Sequence, residues 1–199
     1  LEDGAKRLQK RFRELLGQQP VPARLHFATA WQTLDAGGLD ALDLWLAGHP
    51  DARLVVVDTF KRVRPKELKG ASFYAQDYDS LAPLADLAKR YSVCIVVVHH
   101  TRKGEAEDPL DLISGTTGLT AAGDGAIVLK RTRGEADATL AIIHRNAEDA
   151  ELAVKWDSLT AGWVLVGEAE AYRRSEERNA ILRALHDASD PPTPKELAE

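Results

Sequence analysis

Two apolar runs, each followed by polar residues, dominate the hydrophobic pattern of the chain. RLVVVDTF (residues 53–60) contains the continuous apolar run LVVV, and SVCIVVVHHTRK (residues 92–103) contains VCIVVV. Polar residues follow each run directly. Between them, three leucines at helical spacing predict a helix over about residues 80–91. Strands that are apolar on both sides are typical of a covered parallel sheet, whose strands connect through right-handed crossovers. The pattern therefore predicts an α/β fold with a mainly parallel sheet flanked by helices.

The residues before these runs also show regular spacing of apolar and polar positions, helical in two segments and alternating in one. A helix is predicted over residues 4–16 with Asp3 as its N-cap, an apolar stripe and a basic, solvated face. LHFATAW (residues 25–31) alternates as a strand does, and residues 39–47 carry leucines at helical spacing. These elements precede the first of the two buried strands.

The pattern changes after a loop rich in Gly and Thr. Four short runs separated by turns predict an antiparallel meander that extends the sheet: AIVLKR, TLAIIHR, LAVKWD and GWVLV. Residues 167–174 are expected to be a linker, and a helix is predicted from 175 to 187. With Thr193, Pro194 and Glu196 forming a capping box, residues 175–199 are expected to start a small helical or winged-helix segment. The predicted core spans residues 1–166, and both ends of the chain are expected to be cuts.

Composition narrows the classes of protein. Of the 199 residues 44% are hydrophobic, and the longest apolar runs are too short to cross a bilayer. Cys94 is the only cysteine, so a disulfide framework or a thiolate metal cluster is excluded and a reducing, cytoplasmic setting is favoured. A net charge of −5 argues against nucleic-acid binding over the whole surface, so any such contact must be local.

Polar side chains follow both predicted strands. Asp58 and Thr59 end the first strand, and His99 and His100 end the second. Ligands of an open parallel sheet bind beyond the carboxyl ends of its strands, where a fixed Asp can order the waters of a magnesium ion. An acid that only caps a loop remains an alternative. Neighbouring strand residues point to opposite faces, so the two histidines are not expected to chelate one metal; a buried hydrogen-bonding His and a ligand-sensing His both stay open.

Four motifs in order carry a family resemblance. LEDG before a basic helix, RLVVVDTF, CIVVVHHTRK and SGTTGLTAAGDGAIVLKRTRG together resemble the motif series of RecA-like ATPases, in particular the RepA-type hexameric replicative helicases of plasmids and phages. The resemblance covers about residues 1–166. It implies an ATP-driven, ring-forming DNA helicase or DNA-dependent ATPase of DNA replication. The implied cofactors are ATP and Mg²⁺, and the implied partners are single-stranded DNA and further copies of the chain, with no membrane.

The resemblance also implies roles for the residues at the strand ends. Glu2 resembles the acid that activates the attacking water, and Asp58 resembles the acid that holds magnesium through water. His100 stands where such motors carry a residue that senses the terminal phosphate. Thr59 and His99 beside them are candidate nucleotide-binding residues.

Basic residues near the end of the meander are implied to reach a neighbouring subunit. Lys130, Arg131 and Arg133 resemble the cations that contact the nucleotide of the next subunit in a ring. A solvated hairpin end remains an alternative for them. For Glu2 the alternative is a helix-start residue that, beside Asp3, interacts favourably with the helix dipole.

A basic loop leaves the same edge of the predicted sheet. RecA-like motors grip single-stranded DNA with such loops, and a solvated face is the alternative. The candidate DNA-binding residues are Lys61, Arg62, Arg64, Lys66, Lys69, Arg102 and Lys103.

One motif of the family is missing. No G-x-x-x-x-G-K-[ST] sequence occurs, although such a loop and its Lys hold the β and γ phosphates in the family. The expected explanation is that the loop lies upstream of Leu1 in a longer parent, so that this chain alone binds no nucleotide tightly and is inactive. The alternative is a non-hydrolysing RecA-like module for DNA binding or assembly.

Overall fold

A computed structural model gives the fold of the chain in two compact units. It describes residues 1–66, 70, 72–101, 108–113, 117–131 and 137–187. The units span Leu1–Val128 and Leu129–Glu199, and the boundary falls within one strand. No helix in these described ranges is both long enough and apolar enough to cross a bilayer.

Helices and strands alternate in the first unit, and strands dominate the second. The helices are α1 Ala5–Leu16, α2 Gly38–Gly48, α3 Phe60–Val63, α4 Phe73–Tyr91, α5 Thr117–Ala122 and α6 Ala169–Asp187. The strands are β1 Leu54–Asp58, β2 Cys94–Val98, β3 Gly125–Lys130, β4 Asp137–His144, β5 Ala150–Asp157 and β6 Gly162–Glu168. Short 3₁₀ turns occupy Leu34–Ala36 and Pro109–Leu112.

The predicted parallel pair is present in the first unit. β1 and β2 run parallel from the Leu54–Cys94 pair to the Asp58–Val98 pair, with α3 and α4 in the connection between them. The α/β fold class is therefore confirmed. Both faces were expected to be covered, but Leu54 and Val56 on the outer face of β1 are 58% and 56% exposed. The alternate residues of both strands pack against the core.

The core of the first unit lies between the inner face of this sheet and the helices. Its most deeply buried side chains are Phe60, Leu46, Leu84 and Val63. These come from α2, α3 and α4, which shows that the short helix after β1 is anchored rather than loose. Phe60 and Val63 hold α3 by burying apolar surface, and α3 in turn fixes the chain directly after Asp58.

The α4 helix starts two turns earlier than its leucine spacing predicts. Ser72 caps it by accepting a hydrogen bond from the Ala75 amide at 3.2 Å. Asp77 and Ser80 lie on the buried side of the added turns. Buried polar residues give no apolar periodicity, so the hydrophobic pattern shows only the second half of the helix.

Two expectations for the N-terminal region are wrong. Gly4, not Asp3, is the N-cap of α1, and no side chain caps this helix. Residues 25–31 form no strand, although their sequence alternates. Their alternate side chains meet different neighbours: the Phe27 ring lies 5.7 Å from that of Phe12 on α1, and the His26 ring lies 5.6 Å from that of Trp45 on α2. Two-sided packing thus explains the alternation without strand pairing.

The predicted meander forms the second sheet, with strand order β3-β4-β5-β6. β4 pairs with β5 and β5 pairs with β6, both antiparallel. α6 begins at Ala169, directly after β6, so residues 169–174 are helical rather than the expected linker. Its first turns are held by burial of Ala169 and by hydrogen bonds from Tyr172 to Asp137 and from Arg173 to Glu151. The limits of the predicted C-terminal segment stay predictions, since residues 188–199 lie outside the described part.

Candidate functional site

The ends of β1 and β2 place the predicted polar residues side by side. Asp58 is paired with Val98 in the sheet, so Thr59 and His99 are the first residues beyond it. The peptide bond between Asp58 and Thr59 is cis. Asp58 is exposed, and its carboxylate forms no hydrogen bond or ion pair with a described residue, whereas Thr59 is 3% exposed. A buried hydroxyl and an accessible carboxylate therefore lie next to each other at this edge.

Glu2 lies at the same edge and contacts both strand ends. Its Oε1 accepts a hydrogen bond from the Thr59 hydroxyl at 3.1 Å and lies 3.9 Å from Nε2 of His100. The main-chain nitrogen of Leu1 donates to the Asp58 carbonyl. Both side-chain contacts use Oε1, and among the described residues nothing bonds Oε2. We define the strand-end cluster as Glu2, Asp58, Thr59 and His100.

Glu2 and Asp3 have different surroundings, which bears on the helix-start alternative for Glu2. Asp3 forms ion pairs with Arg7 at 3.2 Å and with Arg11 at 2.6 Å on α1. Glu2 makes no such contact with α1. The favourable interaction with the start of the helix therefore belongs to Asp3, and the Glu2 carboxylate is directed to the strand ends.

The two histidines after β2 are placed differently. His99 is half-buried, and its ring lies 6.2 Å from the Phe60 ring. Burial lowers the pKa of His99 below its ordinary value, and the Arg64 cation acts in the same direction. His100 is exposed and faces Glu2. The pair thus combines a packed imidazole, whose burial favours the neutral form, with an accessible one.

The basic segment after β1, which we define as residues 61–66, divides into two kinds of cation. Arg64 forms an ion pair with Asp77 of α4, a residue that is 2% exposed. Lys61 and Arg62 are exposed on α3 and pair with no described acid. Lys66 is exposed as well, and its main-chain amide donates to Asp35 at 3.3 Å. Within this segment, Lys61, Arg62 and Lys66 keep their charges at the surface.

The remaining candidate residues lie either in the second unit or outside the described residues. Lys69, Arg102, Lys103 and Arg133 lie outside the described residues. Lys130 ends β3, and Arg131 follows it in the second unit. The Arg131 guanidinium carbon lies 5.7 Å from the centre of the Trp163 ring. The structure therefore brings together the strand-end candidates of the first unit, and it gives Arg131 an aromatic neighbour in the second.

The oxygen atoms of the strand-end cluster fit the chemistry of a magnesium-bound nucleotide. Carboxylates and hydroxyls are hard ligands, and Mg²⁺ keeps several of its waters, so the exposed Asp58 carboxylate suits contact through water. Within the described ranges, no three His, Cys, Asp or Glu residues come close enough to hold a metal ion directly.

Two contacts of the candidate residues, one in each unit, have no signature in the sequence. The pairing of Arg64 with Asp77 joins the basic segment to α4, but Asp77 lies in a stretch where the leucine spacing shows no helix. The contact of Arg131 with Trp163 depends on strand register, which places Trp156 opposite Trp163.

Comparisons with known proteins bear on the family and on the fold of the chain. Residues 1–106 match the sequence profile of the AAA domain family. A solved ATPase domain superposes with a TM-score of 0.62 at 16% identity, over 82% of this chain and 71% of that one. A DnaB-like replicative helicase, solved to describe its interactions with primase, superposes with a TM-score of 0.60 at 15% identity, over 82% of this chain and 48% of that one. At these identities the two structures show a shared fold. In sequence, no curated protein is significantly similar to the chain.

Proposed function

Because the chain belongs to the AAA domain family, we propose that it is part of an ATP-driven, ring-forming DNA helicase motor that acts in DNA replication in the cytoplasm. Its likeness in fold to a solved ATPase domain and to a DnaB-like replicative helicase supports this proposal. The chain spans about half of that helicase, and the phosphate-binding motif is absent from its sequence. The proposed parent is therefore longer and carries the phosphate-binding loop upstream of Leu1.

The observation that carries the proposal is the contact of Glu2 with both strand ends. Thr59 holds one carboxylate oxygen by a hydrogen bond and His100 lies 3.9 Å from it, while the other oxygen has no described partner and is available to accept a proton. A fixed carboxylate of this kind is suited to act as general base toward a water molecule. In the proposed motor Glu2 activates the water that attacks the terminal phosphate of ATP.

The other members of the strand-end cluster divide the remaining tasks. Asp58 holds Mg²⁺ through water, and the ion when bound neutralises charge on the phosphates. His100 is exposed beside Glu2, so it senses the terminal phosphate through a hydrogen bond. Thr59 and His99 position the cluster from its buried side and complete the nucleotide-binding candidates.

Contacts beyond the cluster involve DNA and a neighbouring copy. Lys61, Arg62 and Lys66 of the basic segment, with Lys69, Arg102 and Lys103 outside the described residues, bind the phosphates of single-stranded DNA. Lys130, Arg131 and Arg133 reach the nucleotide of the next subunit in a ring. There a cation stabilises charge that develops on the γ phosphate.

The test is ATP hydrolysis by the longer parent with Glu2→Gln. We expect nucleotide binding to persist and turnover to fall about 100-fold or more, because loss of a general base typically costs that much. Asp3→Asn is the matched control, since Asp3 is adjacent but pairs only with Arg7 and Arg11 among the described residues. Unchanged turnover in Glu2→Gln would remove Glu2 from the chemistry.

A second candidate function is a non-hydrolysing RecA-like module for DNA binding or assembly. The observation in its favour is the missing G-x-x-x-x-G-K-[ST] motif. Both candidates predict that residues 1–199 alone bind ATP weakly, as measured by calorimetry. They separate on the parent gene: a phosphate-binding motif within roughly 40 residues upstream, one βα unit earlier, supports the motor, and its absence supports the module.

A further inference from the structure

The Arg131 side chain lies against an aromatic ring in the second unit. Its guanidinium carbon is 5.7 Å from the centre of the Trp163 ring, within the distance at which a cation is attracted to a tryptophan face. Trp163 is half-buried and Arg131 is exposed. One side of the guanidinium is therefore held by the ring, while the side chain remains open to solvent.

The Trp163 ring is itself fixed by its surroundings. Trp156 is directly opposite it on β5, and the two rings meet edge to face at 5.3 Å and 70°. This is a favoured geometry for aromatic pairs. The next pair, Asp157 and Gly162, closes the hairpin, whose turn is held by hydrogen bonds from the Leu159 amide and the Thr160 hydroxyl to Asp157 at 2.9 and 2.7 Å. A rigid hairpin end thus presents the Trp163 ring to Arg131.

Fixing a long side chain matters when it must reach a ligand outside its own unit. An arginine has many rotamers, and restricting them before the ligand arrives lowers the entropy lost in the transition state. We propose that Trp163 is a positioning residue that holds the Arg131 guanidinium ready for the nucleotide of a neighbouring subunit. This inference rests on the role proposed above for Arg131.

The experiment compares Trp163→Phe with Trp163→Leu in ATP hydrolysis by the longer parent. Both side chains are apolar and similar in volume, but only Phe keeps an aromatic face. We expect Trp163→Leu to lower kcat about 2- to 5-fold with KM for ATP unchanged, the size of one exposed cation–π contact, and Trp163→Phe to retain most of the rate. Equal rates in the two variants would make Trp163 only a space-filling residue and overturn the inference.

Coupling to Arg131 is the second measurement. Arg131→Ala is expected to lower kcat about 1,000-fold, as removal of such an arginine does in related chemistry. The double variant with Trp163→Leu should be no slower than Arg131→Ala alone, because Trp163 acts through Arg131. A further 2- to 5-fold loss in the double variant, as independent effects would give, overturns the inference.

Controls separate this inference from the proposed function. Trp45→Leu removes another half-buried tryptophan, one that stacks on His49 in the first unit, and should leave kcat unchanged. Thermal unfolding of every variant identifies any loss of kcat that comes from misfolding. If Arg131→Ala leaves kcat unchanged, the proposed role of Arg131 fails and the inference fails with it. If Arg131→Ala is slow while Trp163→Leu is as fast as Trp163→Phe, only the inference fails.

Discussion

The basic segment follows the Asp58 and Thr59 part of the strand-end cluster in the chain, but the cluster and the segment use their charged groups in different ways. In the cluster, the Glu2 carboxylate is held at the surface by the Thr59 hydroxyl and faces the His100 ring, so polar groups meet around an accessible oxygen. In the basic segment, Arg64 forms an ion pair with the buried Asp77, while Lys61 and Arg62 remain exposed. The difference shows that a run of like charges is not one functional unit. A buried partner decides which cations are structural and which are available to a ligand.

The largest expected effect comes from removing the structural cation. Arg64→Ala should lower the free energy of unfolding by about 3 kcal/mol, because the Asp77 carboxylate loses its cation while it stays buried. Urea unfolding of the 199-residue chain, followed by circular dichroism, measures this value. Arg62→Ala is the matched control, and its exposed side chain should change the free energy of unfolding by less than about 0.5 kcal/mol. Equal effects of the two substitutions would break the distinction within the basic segment.

The next effect concerns the cations at the surface. Replacing both Lys61 and Arg62 by Ala should weaken binding of single-stranded DNA by the longer parent. Each phosphate contact releases condensed counterion, so the log-log salt slope should become shallower by about 1.4, or about 0.7 per contact. Fluorescence anisotropy with a labelled oligonucleotide at several salt concentrations measures the slope. Lys6→Ala with Lys10→Ala on α1 is the control of equal charge, and a DNA role for the basic segment should be dropped if both pairs behave alike.

The smallest effect is a pH dependence of stability that comes from His99. Burial lowers its pKa in the folded chain below the ordinary value of 6.5, so the unfolded chain binds more protons near that pH. The contribution of His99 to the free energy of unfolding is therefore complete above about pH 6.5, and it is lost as the pH falls from there toward the pKa of the folded state. Urea midpoints at about pH 7.5 and about pH 5.5, on either side of that value, should differ less in His99→Gln than in the unchanged chain. The exposed His144, replaced in the same way, should leave the difference as it was.

The parallel pair and the meander were predictable because each has a pattern of its own. A continuous apolar run marks β1 and β2, although one face of β1 is exposed, and short apolar runs separated by turns mark the meander. Residues 25–31 alternate without forming a strand, since Phe27 and His26 pack on separate helices. The start of α4 was missed because Asp77 and Ser80 are buried polar residues. A hydrophobic pattern shows which residues are buried, but it does not show which elements pack against them.

The candidate site was predictable where residues share a sheet edge. Asp58 and His100 follow neighbouring parallel strands, so the topology alone brings them together. The contact of Glu2 with Thr59 joins positions 57 residues apart and depends on how the chain before α1 is placed. The Arg64–Asp77 and Arg131–Trp163 contacts likewise depend on tertiary packing and register. Long-range side-chain contacts of this kind have no local signature.

The two-stranded sheet has a consequence for the life of the chain in a cell. In the described structure β1 and β2 pair only with each other, and Leu54, Val56 and Val96 are exposed on one face. CIVVV has high β-propensity and contains neither a charge nor a proline, the composition of segments that nucleate cross-β aggregates. Chaperones and proteases act on apolar surfaces of this kind when they remain exposed to solvent. We therefore expect the abundance of this chain to depend on how quickly that strand pair is covered after synthesis, which makes proteostasis a constraint separate from catalysis.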